Sequence, residues 1–295
     1  MKVYKNRKAG EKILETYDML LKEWGCEFTE IDLQTEYGTT HVIVSGKEDG
    51  EPMVLFHGVG DDSALMWIFN AKALGEKYRL YAVDLLGGPG KSRPNENYKK
   101  KYDEVKWIDE ILSGLYLEKA MFAGVSMGGY LVQLYALKRP EKVIKAISIS
   151  GAVHAGTKKN GAKTLLKIFL PEALFPTDKN VIKLLKKLSG KNYAVFTENK
   201  LILEHYKYLL RGFNNMAMNP HHVSDGFSSE EIDSIRDKVV FLVGDEDPFE
   251  KLGGKQLLID LKMNATFYPD AGHGLNHELA EQINQKIIEV MASTR

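Results

Sequence analysis

Apolar positions Ile13, Leu14, Tyr17, Leu20, Leu21 and Trp24 recur at helical spacing, and Gly25 is a natural stop. Two strand-like runs follow, residues 27–33 and 39–45, joined by a turn at Tyr37-Gly38. They predict an antiparallel hairpin. From Pro52 the pattern changes. Met53-Val54-Leu55-Phe56, Arg79-Leu80-Tyr81-Ala82-Val83, Ala120-Met121-Phe122-Ala123 and residues 144–149 are short apolar runs. Helical stretches separate them near residues 64–75, 102–117 and 127–138. Buried strands alternating with helices predict a mostly parallel, doubly wound α/β sheet.

The alternation stops after Gly151. Residues 153–225 read as helical pieces, 163–170, 180–188 and 198–213, with Pro171, Pro176 and Pro220 as breaks. Strand patterns return at Val239-Val240-Phe241-Leu242-Val243 and Ala265-Thr266-Phe267-Tyr268, and a last helix covers residues 279–291. An all-helical block between strands of an open sheet reads as an inserted lid, because it could not easily close its own core. The expected division is a helical extension over 1–26, a core over 27–152 and 226–295, and a lid over 153–225.

Composition narrows the function classes. A chain of 295 residues suits one large α/β domain with an insertion. Lys+Arg and Asp+Glu both number 40, and a net charge of zero argues against a nucleic-acid partner. Cys26 is the one cysteine, so no internal disulfide can form, and a reducing compartment fits. The basic start, Met1-Lys2-Val3-Tyr4-Lys5, leads into no apolar stretch, so no signal peptide is expected. No run of about 18 apolar residues predicts a membrane span. The expectation is a cytoplasmic protein. Its first helix either packs on the body or mediates a homodimer.

Chemistry concentrates where predicted strands end. Gly124-Val125-Ser126-Met127-Gly128-Gly129 places a serine between glycines, after a strand and before a helix. That is the G-x-S-x-G elbow in its required setting. A serine hydroxyl needs a base within hydrogen-bond reach. His273, in Ala271-Gly272-His273-Gly274, follows the last strand. His277 is its rival and reads better as a structural residue of the final helix. The base needs an orienting carboxylate. Asp247 follows the preceding strand in Gly244-Asp245-Glu246-Asp247-Pro248, and is favoured over Asp245 and Glu246. The order Ser, Asp, His is the one expected of α/β-hydrolases.

On these motifs the chain resembles an α/β-hydrolase-fold serine hydrolase of the lidded, carboxylesterase-like branch. His57-Gly58-Val59-Gly60 and the run Asp84 to Ser92 match as well, and the resemblance runs from about Glu27 to the C-terminus. It implies an oxyanion hole made by the backbone N–H groups of Val59 and Met127. It also implies that His57 braces the oxyanion loop, with Gly58, Gly124 and Gly128 in support. Asp84 is expected to hold the Gly-rich turn after it. Gly87 to Ser92 lacks phosphate-loop spacing, and no metal-ligand pattern is present, so neither cofactor nor metal is expected.

The implied activity is hydrolysis of carboxylic esters with small to medium apolar acyl groups, through an acyl-enzyme. Other reactions on the same triad stay open: C–C bond, thioester, lactone or peptide hydrolysis, and acyl transfer. So does a non-enzymatic small-ligand sensor. Between Ala155 and Asn215 there are twelve Lys and Arg against four Asp and Glu. Lys183, Lys186 and Lys187 interleave with Ile182, Leu184, Leu185 and Leu188, as on the solvated face of an amphipathic helix; attraction of anions is the sharper reading. His154, His205 and the pair His221-His222 lie in or beside this block, and the pair reads as solvated loop. Phe169, Leu170, Phe175 and Phe213 are candidates for an apolar pocket wall.

Overall fold

The computed structural model describes residues 2–153, 166–221 and 226–293. Its strands are β1 (Phe28–Thr35), β2 (Gly38–Gly46), β3 (Glu51–Phe56), β4 (Tyr78–Val83), β5 (Arg93–Pro94), β6 (Ala120–Val125), β7 (Val143–Ile149), β8 (Val239–Gly244) and β9 (Ala265–Tyr268). They form one sheet in the order β1-β2-β4-β3-β6-β7-β8-β9, with β5 paired to β2. β1 and β2 make the predicted antiparallel hairpin, and β2 also pairs antiparallel with β4. From β4 through β9 every pairing is parallel. This is the α/β-hydrolase fold expected from the sequence.

Parallel strands with helices on both faces are buried throughout, which is why they read as unbroken apolar runs. All six residues of β6 and of β8 are buried. Parallel pairing also brings the carboxyl ends of β3, β4, β6, β7, β8 and β9 to one edge, where ligands sit in open α/β sheets. His57, Asp84, Ser126 and the loops bearing Asp247 and His273 all follow those ends.

The helix Arg7–Lys22 is capped by Asn6, whose side chain accepts from Ala9 N. It buries Ile13, Tyr17, Leu20 and Leu21 on one stripe, each worth about 1.5–3 kcal/mol when fully buried. That stripe lies against the helix Lys200–Gly212, approached so closely that a Cβ on Gly212 would stand 2.9 Å from Ala9 Cβ. The first helix thus packs on the body of the fold. Between β7 and β8 run the helices Asp178–Leu188, Ala194–Thr197 and Lys200–Gly212. Residues 163–165 of the expected helix 163–170, with His154 and His222, lie outside the described residues.

Two expected helices differ in extent. Residues 64–75 divide into Ser63–Met66 and Ala71–Gly75, because 67–70 tighten into a turn with Asn70 N bonded to Trp67 O at 2.9 Å. Residues 102–117 shorten to Glu104–Gly114, where Asp103 caps the start by accepting from Lys106 N. Among the described residues no helix is long and apolar enough to cross a membrane.

Candidate active site

Ser126 joins β6 to the helix Met127–Lys138 with φ 55° and ψ −112°, a region that side chains rarely occupy. Tight packing holds it there. A Cβ on Gly124 would stand 2.1 Å from Gly128 O, and one on Gly128 would stand 2.3 Å from Phe56 O. Both contacts are with backbone, so only glycine fits at either position. Ser126 N bonds to Ile149 O at 2.9 Å, which ties the turn to β7. The hydroxyl is thereby presented at the N-terminus of a twelve-residue helix, whose first N–H groups face outward with partial positive charge.

Asp247 and His273 meet over the same edge. His273 Nδ1 lies 2.9 Å from Asp247 Oδ2, and Asp247 Oδ1 accepts from Phe249 N at 2.9 Å. The carboxylate side chain is 6% exposed and the imidazole 18%. With Nδ1–H donating to the carboxylate, a neutral ring keeps its lone pair on Nε2. Among the hydrogen bonds of the described residues, none joins Ser126 Oγ to His273; such bonds often form only with substrate bound. Phe249 packs on the imidazole with ring centroids 4.3 Å apart, and Phe169 lies 6.1 Å beyond it. The neighbouring acids are occupied elsewhere: Asp245 pairs with Lys255 at 2.8 Å, and Glu246 is exposed.

The loop after β3 approaches from the other side. A Cβ on Gly58 would stand 3.3 Å from Ser126 Cβ. His57 is fully buried; Nδ1–H donates to Gly58 O at 2.8 Å and Nε2 accepts from Leu85 N at 2.9 Å. Both bonds fit the neutral ring, and burial pushes its pKa down. In a trans peptide the C=O and the next N–H point in opposite directions. Fixing the Gly58 carbonyl on His57 therefore turns the Val59 N–H away from it. Val59 itself is half-exposed.

Several residues are held more firmly than their sequence suggests. Asp84 accepts from Ser63 N, Lys91 N and Tyr17 Oη, so it pins the turn after β4 to two other segments. His277 is buried and bonds Leu65 O at 2.9 Å through Nε2. His221, expected in a solvated loop, is instead buried, with Nε2 on Leu86 O at 2.8 Å and its ring against Tyr98, Tyr102 and Trp107. Phe175 is 66% exposed and so is no pocket wall, and Phe213 is buried beside Tyr4. Lys183 and Lys187 are not simply solvated: both pair with the buried carboxylate of Glu172. Among the described residues no three His, Cys, Asp or Glu side chains are arranged to hold a metal ion.

Sequence reasoning missed Glu278. Its Oε1 accepts from Gly272 N at 3.0 Å and its Oε2 from Gly190 N at 2.7 Å. Glu278 ends the short helix Leu275–Glu278 with no distinguishing local pattern; its partners are 6 and 88 residues away in the chain.

Residues 51–166 match the family model of the α/β hydrolase fold. The uncharacterized carboxylesterase nap of Bacillus subtilis is 29% identical over 292 residues, which is 95% of this chain and 92% of that protein. Carboxylesterase YbfK of the same organism is 35% identical over 144 residues, about half of each chain. Among solved structures, the naproxen esterase (carboxylesterase NP) of Bacillus subtilis superposes with TM-score 0.80 at 25% identity, over 97% of this chain and 99% of that one. The CesB (YbfK) carboxylesterase structure has TM-score 0.79 at 23% identity with the same coverage, a likeness of fold. From its sheet order, its strained elbow and a similarity that spans nearly its whole length, the chain has the α/β-hydrolase fold and is similar to carboxylesterases of Bacillus subtilis.

Proposed function

We propose that this site hydrolyses carboxylic esters of small to medium apolar acyl groups through an acyl-enzyme. The observation that carries the reading is the 2.9 Å bond from His273 to Asp247, at the sheet edge that also presents Ser126. In this reading Ser126 Oγ attacks the acyl carbon while His273 Nε2 removes its proton. Asp247 orients the ring and stabilises the imidazolium that forms. The N–H groups of Val59 and Met127 receive the oxyanion, each worth about 2.7–4 kcal/mol to the transition state. His273 then protonates the leaving alcohol and activates water for deacylation.

The inserted helices act as the lid, with Phe169 reaching Phe249 and through it the imidazole. Apolar side chains at this edge, Val59, Met127, Phe249 and Phe169, favour an apolar acyl group over a charged one. No cofactor enters the scheme, since each proton and charge has a protein partner. The single half-buried cysteine supports a cytoplasmic setting. Pairing of two copies through the surface left outside the first helix is a further part of the reading that oligomeric-state measurements decide.

The test is covalent labelling with turnover. A fluorophosphonate adduct on Ser126, together with hydrolysis of p-nitrophenyl acetate, butyrate or octanoate, is the expected result. An adduct without turnover moves the reading to another scissile bond or to ligand sensing. Full esterase activity in Ser126→Ala overturns it.

A further inference from the structure

Below the loop that carries Val59 lies a buried polar chain that the reaction scheme leaves unused. Thr16 Oγ1, on the helix Arg7–Lys22, is 2.7 Å from His205 Nδ1. His205, on the helix Lys200–Gly212, places Nε2 2.8 Å from Asp62 Oδ2. Asp62 Oδ1 in turn accepts from Leu65 N at 3.0 Å. Thr16 is 3% exposed, and His205 and Asp62 are fully buried. Three segments far apart in the chain thus meet at one imidazole.

The surroundings decide which group holds the charge. Asp61, His57 and Tyr206 all lie close enough to act on Asp62. Burial, and then the charge of Asp62, push the Asp61 carboxyl well up. Burial pushes Asp62 up too, but the charge and hydrogen bond of His205 and the Leu65 amide outweigh it and hold that carboxyl below its ordinary value. The buried Asp62 carboxyl is thus held by His205 on one oxygen and by the Leu65 amide on the other. Removing one partner of such a pair leaves a buried charge uncompensated.

Position gives the chain a catalytic consequence. His57 and Asp62 are both fixed by buried side-chain bonds, and only Gly58, Val59, Gly60 and Asp61 run between them. The Val59 N–H is carried on that short span. An unpaired carboxylate three residues from it would also oppose a developing oxyanion.

We propose that the Thr16–His205–Asp62 chain positions the oxyanion loop, which makes the first helix and the lid helix Lys200–Gly212 working parts of the site. The inference rests on the ester-hydrolase reading above. His205, Asp62 and Thr16 are positioning residues: they act through the Val59 N–H and touch no substrate.

The experiment compares wild type with His205→Gln, Asp62→Asn, Thr16→Val and Thr16→Ser. It uses the full chain with p-nitrophenyl butyrate, each preparation titrated for active serine by a fluorophosphonate. His205→Gln and Asp62→Asn are expected to lower kcat per titrated site by about tenfold or more, with KM within about twofold. Affinity for a trifluoromethyl ketone, which forms a tetrahedral oxyanion on the serine, should fall by the same factor as kcat/KM. Thr16→Val, the mildest change and the one that keeps side-chain shape, lowers kcat severalfold. Thr16→Ser returns the hydroxyl and recovers most of the rate. A merely structural role lowers the titrated fraction but leaves kcat per site and ketone affinity unchanged. That result in Thr16→Val and His205→Gln overturns the inference while wild-type turnover keeps the ester-hydrolase reading. A wild type with neither adduct nor turnover overturns both.

Discussion

The backbone N–H of His273 donates to the carbonyl of Leu188 at 2.6 Å, so the end of the helix Asp178–Leu188 is bonded to the residue proposed as the base. Lys191 N extends the junction to Asp270 O at 2.8 Å, and Glu278 closes it by accepting from Gly190 and Gly272 together. Helix end and histidine loop therefore move as one body or not at all. Glutamine at 278 has one carbonyl acceptor, and its amide would face the second N–H. An unmet buried donor costs about 1–3 kcal/mol. Glu278→Gln is expected to lower Tm by several degrees, and to lower kcat more than it alters KM. Calorimetry with steady-state kinetics checks this. Wild-type kcat in a destabilised variant would separate the clamp from catalysis.

Glu278 also predicts a pH dependence. Burial raises its pKa; the two backbone bonds lower it, and the charges of Glu246 and Asp247 raise it further. A carboxyl raised in the folded state contributes stability that is present below its ordinary value and lost as pH rises through the raised one. The window opens near 4.5 and runs upward. Denaturant melts of Glu278→Gln across that window should lack this decline.

His277 works in the opposite direction. Burial pushes its pKa down to about 4, against the opposing effect of its bond to Leu65 O. The unfolded chain takes up a proton near 6.5 while the folded chain stays neutral, so stability falls as pH drops from about 6.5 to about 4. The full shift amounts to about 3 kcal/mol. Buried His57, also lowered by burial, acts in the same direction. Urea midpoints at pH 7 and pH 5 measure the loss, and His277→Asn should flatten it. A midpoint independent of pH in wild type would mean that the imidazole charges inside the fold.

Much of this was legible in the sequence because its causes are local. Strand runs, helix periodicity and the glycine spacing around Ser126 depend on neighbours within a few residues. Limits of elements were less so. The short β5 and the helix Glu96–Lys101 carry no period long enough to read, although Asn95 caps the latter in a recognisable way. Burial of single polar residues was the hardest to see. His221 and His205 bond side chain or backbone more than a hundred positions away, Leu86 for the first and Asp62 and Thr16 for the second. In the sequence the choice of Asp247 over Asp245 rests on its spacing from Gly244 and on the Pro248 that follows, whereas in space the two are separated by their partners, His273 and Lys255.

That separation is itself testable. Asparagine at 247 retains an acceptor for Phe249 N, but can present its amide to His273 and favour the wrong tautomer. In Ser-His-Asp proteases the equivalent change lowers kcat by about 10⁴, and Asp247→Asn is expected to lower it by about 10³ to 10⁴ here. Asp245→Asn, which loses only its partly exposed pair with Lys255, should keep kcat within about twofold. The reverse ranking, read from kcat per titrated serine, would move the acid to Asp245.

The elbow predicts that activity and stability can be driven apart. Ser126 has φ 55°, strain of about 1–3 kcal/mol that a glycine would release. Ser126→Gly should therefore abolish turnover and labelling yet raise stability by about 1 kcal/mol. Gly128→Ala should lower both. Its Cβ would stand 2.3 Å from Phe56 O, a backbone atom at the end of β3 that cannot rotate aside. Either the elbow or the start of the His57 loop must then shift, and displacement of about 1 Å at such a site costs about 10² in rate. Paired melts and labelling rates decide the matter. A Ser126→Gly protein no more stable than wild type would show that the turn is held without strain, and the account of the two glycines as its enforcers would fall with it.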